Sequence, residues 1–154
     1  DTSYSRSNQD MSVSECLSGL SKGLNAGWFD LRTFDLEQYE NLESPMSGNV
    51  HQISPKFIAF QGPTPDTPKL LLKGDTEHTV ENYIPTLQSL GVACVVRLSD
   101  RDSYDKQRFE RAGIRHYDLD FNDRSIPSDR LVERFFEICR QEPILAVHCS
   151  DGLE

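Results

Sequence analysis

The sequence predicts an α/β domain with a parallel-type sheet and flanking helices, preceded by a helical linker arm. Two observations predict the sheet. From about residue 79 onward, β-branched or apolar runs alternate with segments of helical periodicity, and the connections between them are short. A third observation predicts the arm, because leucines at helical spacing and an acidic segment come before a loop at 44–49.

The arm contains two predicted helices. The first, over 14–27, has a Ser start, a Gly stop and an apolar face formed by Leu17, Leu20 and Leu24. The second, over 36–43, follows Asp35 as its expected N-cap and is very acidic. Its acidic residues at i, i+3 and i+6 are Glu37, Glu40 and Glu43. This acidic face is either a solvated surface or a docking edge for a basic ligand.

Beyond the loop, strands and helices are predicted in alternation. They are strands 50–53 and 57–60, helix 79–90, strand 92–98, helix 104–112, strand 114–119, helix 128–141 and strand 144–148. Gly91 and Gly113 end two of the helices. Ligands bind beyond the carboxyl ends of the strands in such sheets, so residues that follow strands are the first functional candidates.

Composition excludes several function classes. The net charge of −9 over 154 residues disfavours nucleic acid as a partner and suits either a basic protein or a plain solvated surface. No apolar run approaches the roughly 20 residues of a membrane span, so we expect no membrane partner. The four cysteines form no CxxC pair, which indicates reduced thiols in an intracellular compartment, with no metal and no cofactor. The chain opens with a polar stretch from Asp1, and we expect a fragment.

Two positions after predicted strands could carry chemistry. Cys149 follows the last apolar strand and enters a loop that contains a glycine, where backbone N–H groups could stabilise a thiolate and bind an anion. His148 could order that loop, although a buried structural thiol is the alternative. Asp123 lies in a polar loop after the preceding strand and could protonate a leaving oxygen. An ordinary loop carboxylate is its alternative, and its competitors are Asp118, Asp120 and Asp129.

Several blocks, in a fixed order, resemble the cell-division-cycle-fourteen (Cdc-fourteen) family of dual-specificity protein phosphatases. The matching stretches are Ser-Glu-Cys-Leu, Gly-Trp-Phe-Asp, Pro-Lys-Phe-Ile-Ala-Phe-Gln-Gly-Pro, Val-Val-Arg-Leu, His-Tyr-Asp-Leu, Ile-Pro-Ser-Asp and Ala-Val-His-Cys. The resemblance implies a cysteine-phosphatase fold in three parts. Residues 1–34 would be a polar start and the last helix of a preceding phosphatase-like domain, 35–46 an acidic inter-domain linker helix, and 47–154 an incomplete first half of the catalytic domain.

The resemblance also implies roles for individual residues. Cys149 would be the nucleophile that forms a cysteinyl-phosphate, His148 its loop-ordering neighbour and Asp123 the general acid. Glu40 and Glu43 would bind a basic residue beyond a phosphoserine-proline site. The phosphate loop would consist of Ser150, Asp151, Gly152 and Leu153, of which Gly152 and Leu153 match the family.

Three loop positions depart from the family's Cys-Lys-Ala-Gly-Leu-Gly-Arg. Ser150 replaces Lys, Asp151 replaces Ala, Glu154 replaces the second Gly, and the Arg would be the residue after Glu154. One carboxylate about 6 Å from a doubly charged phosphate, at an effective dielectric of about 20, would repel it by roughly 5 kcal/mol. We therefore expect the loop as given to be degenerate and inactive.

Two functions remain open from the sequence. One is a Cys-dependent phosphatase of phosphoserine and phosphotyrosine proteins that carry basic residues near a Ser-Pro site. The other is a pseudophosphatase that serves as a structural or scaffold subunit, for example in a cytoskeletal or ciliary assembly. The resemblance suggests the cytoplasm or nucleus, with the spindle, centrosome or cilium as further places.

Overall fold

A computed structural model describes residues 11–28, 30–44, 47–64, 78–98, 103–121 and 126–149 of the chain. Contacts between residues divide the chain into two compact units, Asp1–Leu36 and Glu37–Glu154. The division into three parts at residues 34 and 46 stays a prediction. His148 and Cys149, the candidate catalytic residues that the structure describes, lie in the second unit.

The first unit contains helix α1, Val13–Asn25. Ser12 caps it: the Ser12 hydroxyl accepts a hydrogen bond from the Glu15 backbone N–H, and the Glu15 carboxylate accepts one from the Ser12 N–H. The predicted leucine face is present and is exposed, with 60% of Leu17, 47% of Leu20 and 37% of Leu24 accessible to solvent. The capping box therefore stabilises the start of the helix, and its apolar face is accessible to solvent.

The remaining elements follow the predicted order. They are α2 (Leu36–Glu43), β1 (His51–Gln52), β2 (Phe57–Ala59), α3 (Val80–Ser89), β3 (Cys94–Arg97), α4 (Gln107–Arg111), β4 (Arg115–Asp118), α5 (Asp129–Gln141) and β5 (Leu145–His148). One boundary was wrong by three residues: α4 begins at Gln107, not at Tyr104. Tyr104 precedes the helix and is buried.

The sheet is mixed, with the strand order β1-β2-β5-β3-β4. The predicted parallel pairing is confirmed for β2, β5, β3 and β4. The first strand, β1, lies outside the alternating pattern and runs antiparallel to β2. The reason is the short connection around Ser54 and Lys56, because a parallel pair needs a crossover of a dozen or more residues. The Ser54 hydroxyl accepts hydrogen bonds from the backbone N–H groups of Lys56 and Phe57 and closes this turn.

Two apolar clusters cover the two faces of the sheet. Successive residues of β3 point to opposite faces, so Val95 packs with α3 and α4 while Val96 packs with α5. Ala146 and Leu145 divide in the same way on β5. The central strand β5 is therefore buried on both faces and hydrogen-bonded along both edges. The residue that follows it, Cys149, begins its loop from the most constrained part of the fold.

Candidate active site

The carboxyl end of β5 is held from both sides. The Val147 carbonyl accepts a hydrogen bond from the Phe60 N–H at 3.2 Å, and the His148 carbonyl accepts one from the Leu98 N–H at 2.9 Å. Cys149 follows directly and is 9% exposed. Backbone hydrogen bonds on both sides therefore fix the position at which Cys149 leaves the sheet.

His148 is turned back onto the residue that follows it. Its Nδ1 donates a hydrogen bond to the Cys149 carbonyl oxygen at 2.8 Å, and its Nε2 lies 2.7 Å from the Tyr104 hydroxyl. Only 2% of His148 is exposed, and this burial lowers its pKa to about 4. The side chain is therefore neutral at neutral pH, and its Nδ1 N–H binds the backbone carbonyl of Cys149.

Gly62 touches the same hydrogen bond from the loop after β2. A Cβ atom at Gly62 would lie 2.5 Å from the Cys149 carbonyl oxygen and 2.9 Å from His148 Nδ1. Separations below about 3 Å leave no room for a methyl group, so only glycine fits here without a shift of the backbone. Gly62 thus lies directly against the hydrogen bond between His148 and the Cys149 carbonyl.

An ion-pair cluster lies beside the end of β4. The buried guanidinium of Arg97 donates to the Asp118 carboxylate at 2.9 Å and lies 4.5 Å from the centre of the Tyr104 ring. Lys106 donates to the other carboxylate oxygen at 3.0 Å. Burial alone would raise the pKa of Asp118, but these two cations hold it below its usual range. Asp118 is therefore a poor proton donor, which removes one competitor of Asp123.

The structure brings together only part of the predicted site. Cys149 and His148 adjoin each other at the sheet edge, with Tyr104 and Gly62 as neighbours that the sequence did not indicate. The general-acid candidate and the predicted phosphate loop lie outside the described residues. These residues are Asp123, Ser150, Asp151, Gly152 and Leu153, together with Glu154.

The acidic residues of α2 are exposed. Leu42, on the same helix, packs against the apolar cluster of the second unit. A hydrogen bond from the Tyr39 hydroxyl to Glu43 raises the pKa of Tyr39, and the Tyr39 ring lies 6.1 Å from that of His51. Glu40 and Glu43 are thus presented to solvent by a helix anchored to the unit that carries Cys149.

Three further observations concern the described part of the chain. No helix there is both long and apolar enough to cross a membrane. In the same residues, no three His, Cys, Asp or Glu side chains come together as metal ligands would. Each of the four cysteines carries a thiol and none is joined in a disulfide.

Comparison with known proteins gives consistent matches along almost the whole chain. The human dual specificity protein phosphatase CDC14A is 41% identical over 155 residues, which is 99% of this chain and 26% of the relative. The mouse CDC14A is 42% identical over 99% of this chain and 25% of its own length. The tyrosine-protein phosphatase CDC14 of Saccharomyces cerevisiae is 32% identical over 99% of this chain and 29% of its length. The chain belongs to the CDC14 family.

The matches also show how the length and fold of this chain compare with those of known proteins. The chain spans about a quarter of the length of these CDC14 relatives. No protein-family model matches it. Among solved structures, PTPMT1 in complex with PI(5)P has a TM-score of 0.52 at 13% identity, over 67% of this chain and 63% of that one. At this identity the likeness shows the fold alone, which is that of the cysteine phosphatases.

Proposed function

We propose that this chain forms the nucleophile-bearing part of a Cys-dependent protein phosphatase site. The observation that carries the proposal is the placement of Cys149 at the carboxyl end of the central strand, with its carbonyl bound by His148. Family membership supports it, since the relatives are dual-specificity and tyrosine phosphatases by name. A buried thiol with a purely structural role would need no such ordered neighbour.

The proposed reaction has two steps. The Cys149 thiolate attacks the phosphorus of a seryl or tyrosyl phosphate, an S–P bond forms, and the P–O bond to the substrate oxygen breaks. Asp123 gives its proton to that oxygen. In the second step Asp123 takes a proton from water, the water oxygen attacks phosphorus, the S–P bond breaks, and inorganic phosphate leaves. No metal or cofactor takes part in this scheme.

The identity of the loop residues argues for slow turnover. Asp151 and Glu154 place two carboxylates in a six-residue stretch that must receive a phosphate dianion. Each would oppose binding by up to roughly 5 kcal/mol if it lay near 6 Å in a medium of dielectric about 20. Glu154 also replaces a glycine, which alone adopts φ > 0 without strain. We infer that this chain hydrolyses phosphoproteins slowly or not at all.

The proposed substrate is a phosphoprotein with a basic residue near a phosphoserine-proline site. Glu40 and Glu43 are exposed on α2, and the net charge of −9 favours a basic partner. The four thiols fit a reducing, intracellular compartment. The alternative is a scaffold subunit without activity in a structural protein assembly, which the two loop carboxylates favour.

The test is phosphate release from a phosphoserine-proline peptide that carries a basic residue. Slow release that Cys149→Ser abolishes, and that Asp123→Asn strongly reduces, would support the proposal. Release that persists after Cys149→Ser would overturn the role of Cys149. The complete absence of release, in the protein and in an Asp151→Ala variant alike, would leave the scaffold function in its place.

A further inference from the structure

Tyr104 lies between two buried histidines on the strands that flank β3. Its hydroxyl oxygen is 2.7 Å from His148 Nε2 on β5 and 2.9 Å from His116 Nε2 on β4. The three side chains are buried, and Phe109 packs against the rings of Tyr104 and His116, with centroids 5.8 and 6.0 Å apart. The polar atoms of His116, Tyr104 and His148 therefore form a buried row that ends at the backbone carbonyl of Cys149.

The direction of every hydrogen bond in this row follows from its far end. The Cys149 carbonyl can only accept, so His148 Nδ1 carries the proton. The neutral ring then has a bare Nε2, which accepts the single hydroxyl hydrogen of Tyr104. The Tyr104 oxygen must in turn accept from His116, so His116 carries its proton on Nε2.

The opposite order requires one more proton. If His148 donated to Tyr104 through Nε2, it would be an imidazolium, Tyr104 would donate to His116, and His116 would carry its proton on Nδ1. Burial opposes this state, because it disfavours the charged ring and lowers the pKa of His148 to about 4. Near neutral pH the row therefore runs from His116 through Tyr104 and His148 to Cys149.

His116 gives up a hydrogen bond to take this place. Its Nδ1 is buried and is the only buried side-chain nitrogen or oxygen within the described ranges that has no hydrogen-bond partner. It lies 3.6 Å from the Asp118 carboxylate, which is bound instead by Arg97 and Lys106. An unpaired buried polar atom costs about 1 to 3 kcal/mol, so a role for the Nε2 proton elsewhere would explain why it persists.

We propose that Tyr104 and His116 are positioning residues for Cys149. By donating through Tyr104, His116 holds His148 in the tautomer that binds the Cys149 carbonyl. That hydrogen bond draws negative charge away from the carbonyl beside the sulfur and fixes the backbone at the start of the loop. The inference rests on the proposed role of Cys149 as the nucleophile, but its test needs no turnover.

Imidazole nitrogen NMR tests the proton order directly in the unchanged protein at pH 7. The expected spectrum shows His148 protonated on Nδ1 and His116 protonated on Nε2, each as a single neutral tautomer. A His148 ring protonated on Nε2, or rapid exchange between tautomers, would overturn the inference. This measurement does not depend on the folding of any variant.

Variants test the consequence through the rate at which iodoacetamide alkylates Cys149, read by mass spectrometry of the peptide that contains it. Loss of one hydrogen bond in the row should slow alkylation roughly threefold to tenfold at neutral pH in Tyr104→Phe and in His116→Leu. His116→Gln restores an N–H donor at the same reach and should stay within about twofold of the unchanged protein.

Phe109→Leu supplies the matched control, since Phe109 packs on the same rings but has no polar atom in its side chain. It should lower the free energy of unfolding while leaving Cys149 alkylation unchanged. Equal slowing in Phe109→Leu and Tyr104→Phe would show that loosened packing is responsible, and would overturn the positioning role. So would slowing by His116→Gln as large as by His116→Leu. Failure of both the unchanged chain and the Asp151→Ala variant to release phosphate would reject the proposed function and leave these outcomes untouched.

Discussion

Replacement of Gly62 by alanine should strike the site at its most crowded point. The new Cβ would stand 2.5 Å from the Cys149 carbonyl oxygen and 2.9 Å from His148 Nδ1. Both atoms belong to the hydrogen bond that orders Cys149, and the carbonyl is backbone at the end of a strand paired on both edges. The overlap must therefore be relieved by a shift of the backbone itself.

The expected cost has two parts. Overpacking of this kind costs about 1 to 3 kcal/mol, and loss of the buried hydrogen bond adds about 1 kcal/mol. With a urea dependence of roughly 2 kcal/mol per M, the unfolding midpoint should fall by about 1 to 2 M. Alkylation of Cys149 by iodoacetamide should slow as well, because the carbonyl loses its donor.

Gly113→Ala is the matched control for this prediction. Gly113 has φ +83° but nothing lies within 4 Å of an added Cβ, so its replacement should cost only the strain of the left-handed conformation, about 1 kcal/mol. Cys149 alkylation should not change in that variant. A Gly62→Ala protein with the stability and alkylation rate of the unchanged protein would show that a methyl group fits at this position without displacing the Cys149 carbonyl.

Three further predictions follow from the contacts. The buried carboxylate of Glu142 accepts hydrogen bonds from Arg115 and from the Tyr117 hydroxyl, at 2.7 Å each. Glu142→Gln removes the negative charge that strengthens them and should lower the free energy of unfolding by about 1 to 3 kcal/mol in urea titrations. Burial lowers the pKa of His148 and His116 to about 4, while the unfolded chain takes up protons near pH 6.5. Stability should thus fall as pH drops from about 6.5 to 4, by up to about 1.4 kcal/mol per unit for each histidine, and His116→Gln should roughly halve the slope. Replacement of both Glu40 and Glu43 by Lys should weaken binding of a basic phosphopeptide roughly tenfold by fluorescence anisotropy, with no change for a neutral peptide of the same length.

Periodicity and punctuation made the main elements predictable. The apolar faces of the helices and the β-branched runs determine which segments are helix and strand, and the helices that alternate with the strands predict that most strands are parallel. The position of Cys149 could be predicted in the same way. An apolar strand that ends in a loop can be recognised from adjacent residues alone. The alternating pattern did not include β1, whose antiparallel direction follows from the short connection to β2.

The neighbours of Cys149 could not be predicted in this way. Tyr104 was assigned to the first turn of a helix, and its contact with His148 arises only from the alignment of β3, β4 and β5. Gly62 carried a turn signal, but its close approach to the Cys149 carbonyl depends on the path of the chain after β2. Contacts between residues far apart in sequence leave no periodic trace, so only the folded register shows them.

We propose that Cys149 lies in a phosphatase site whose loop carboxylates, Asp151 and Glu154, suppress turnover. The most direct measurement is the initial rate of phosphate release from a basic phosphoserine-proline peptide, compared between the unchanged protein and an Asp151→Ala, Glu154→Gly variant. Removal of the two charges should raise the rate roughly a hundredfold or more, and Cys149→Ser should abolish it in both backgrounds. Equal rates in the two proteins would show that the loop carboxylates do not suppress turnover, and release that survives Cys149→Ser would show that Cys149 is not the nucleophile.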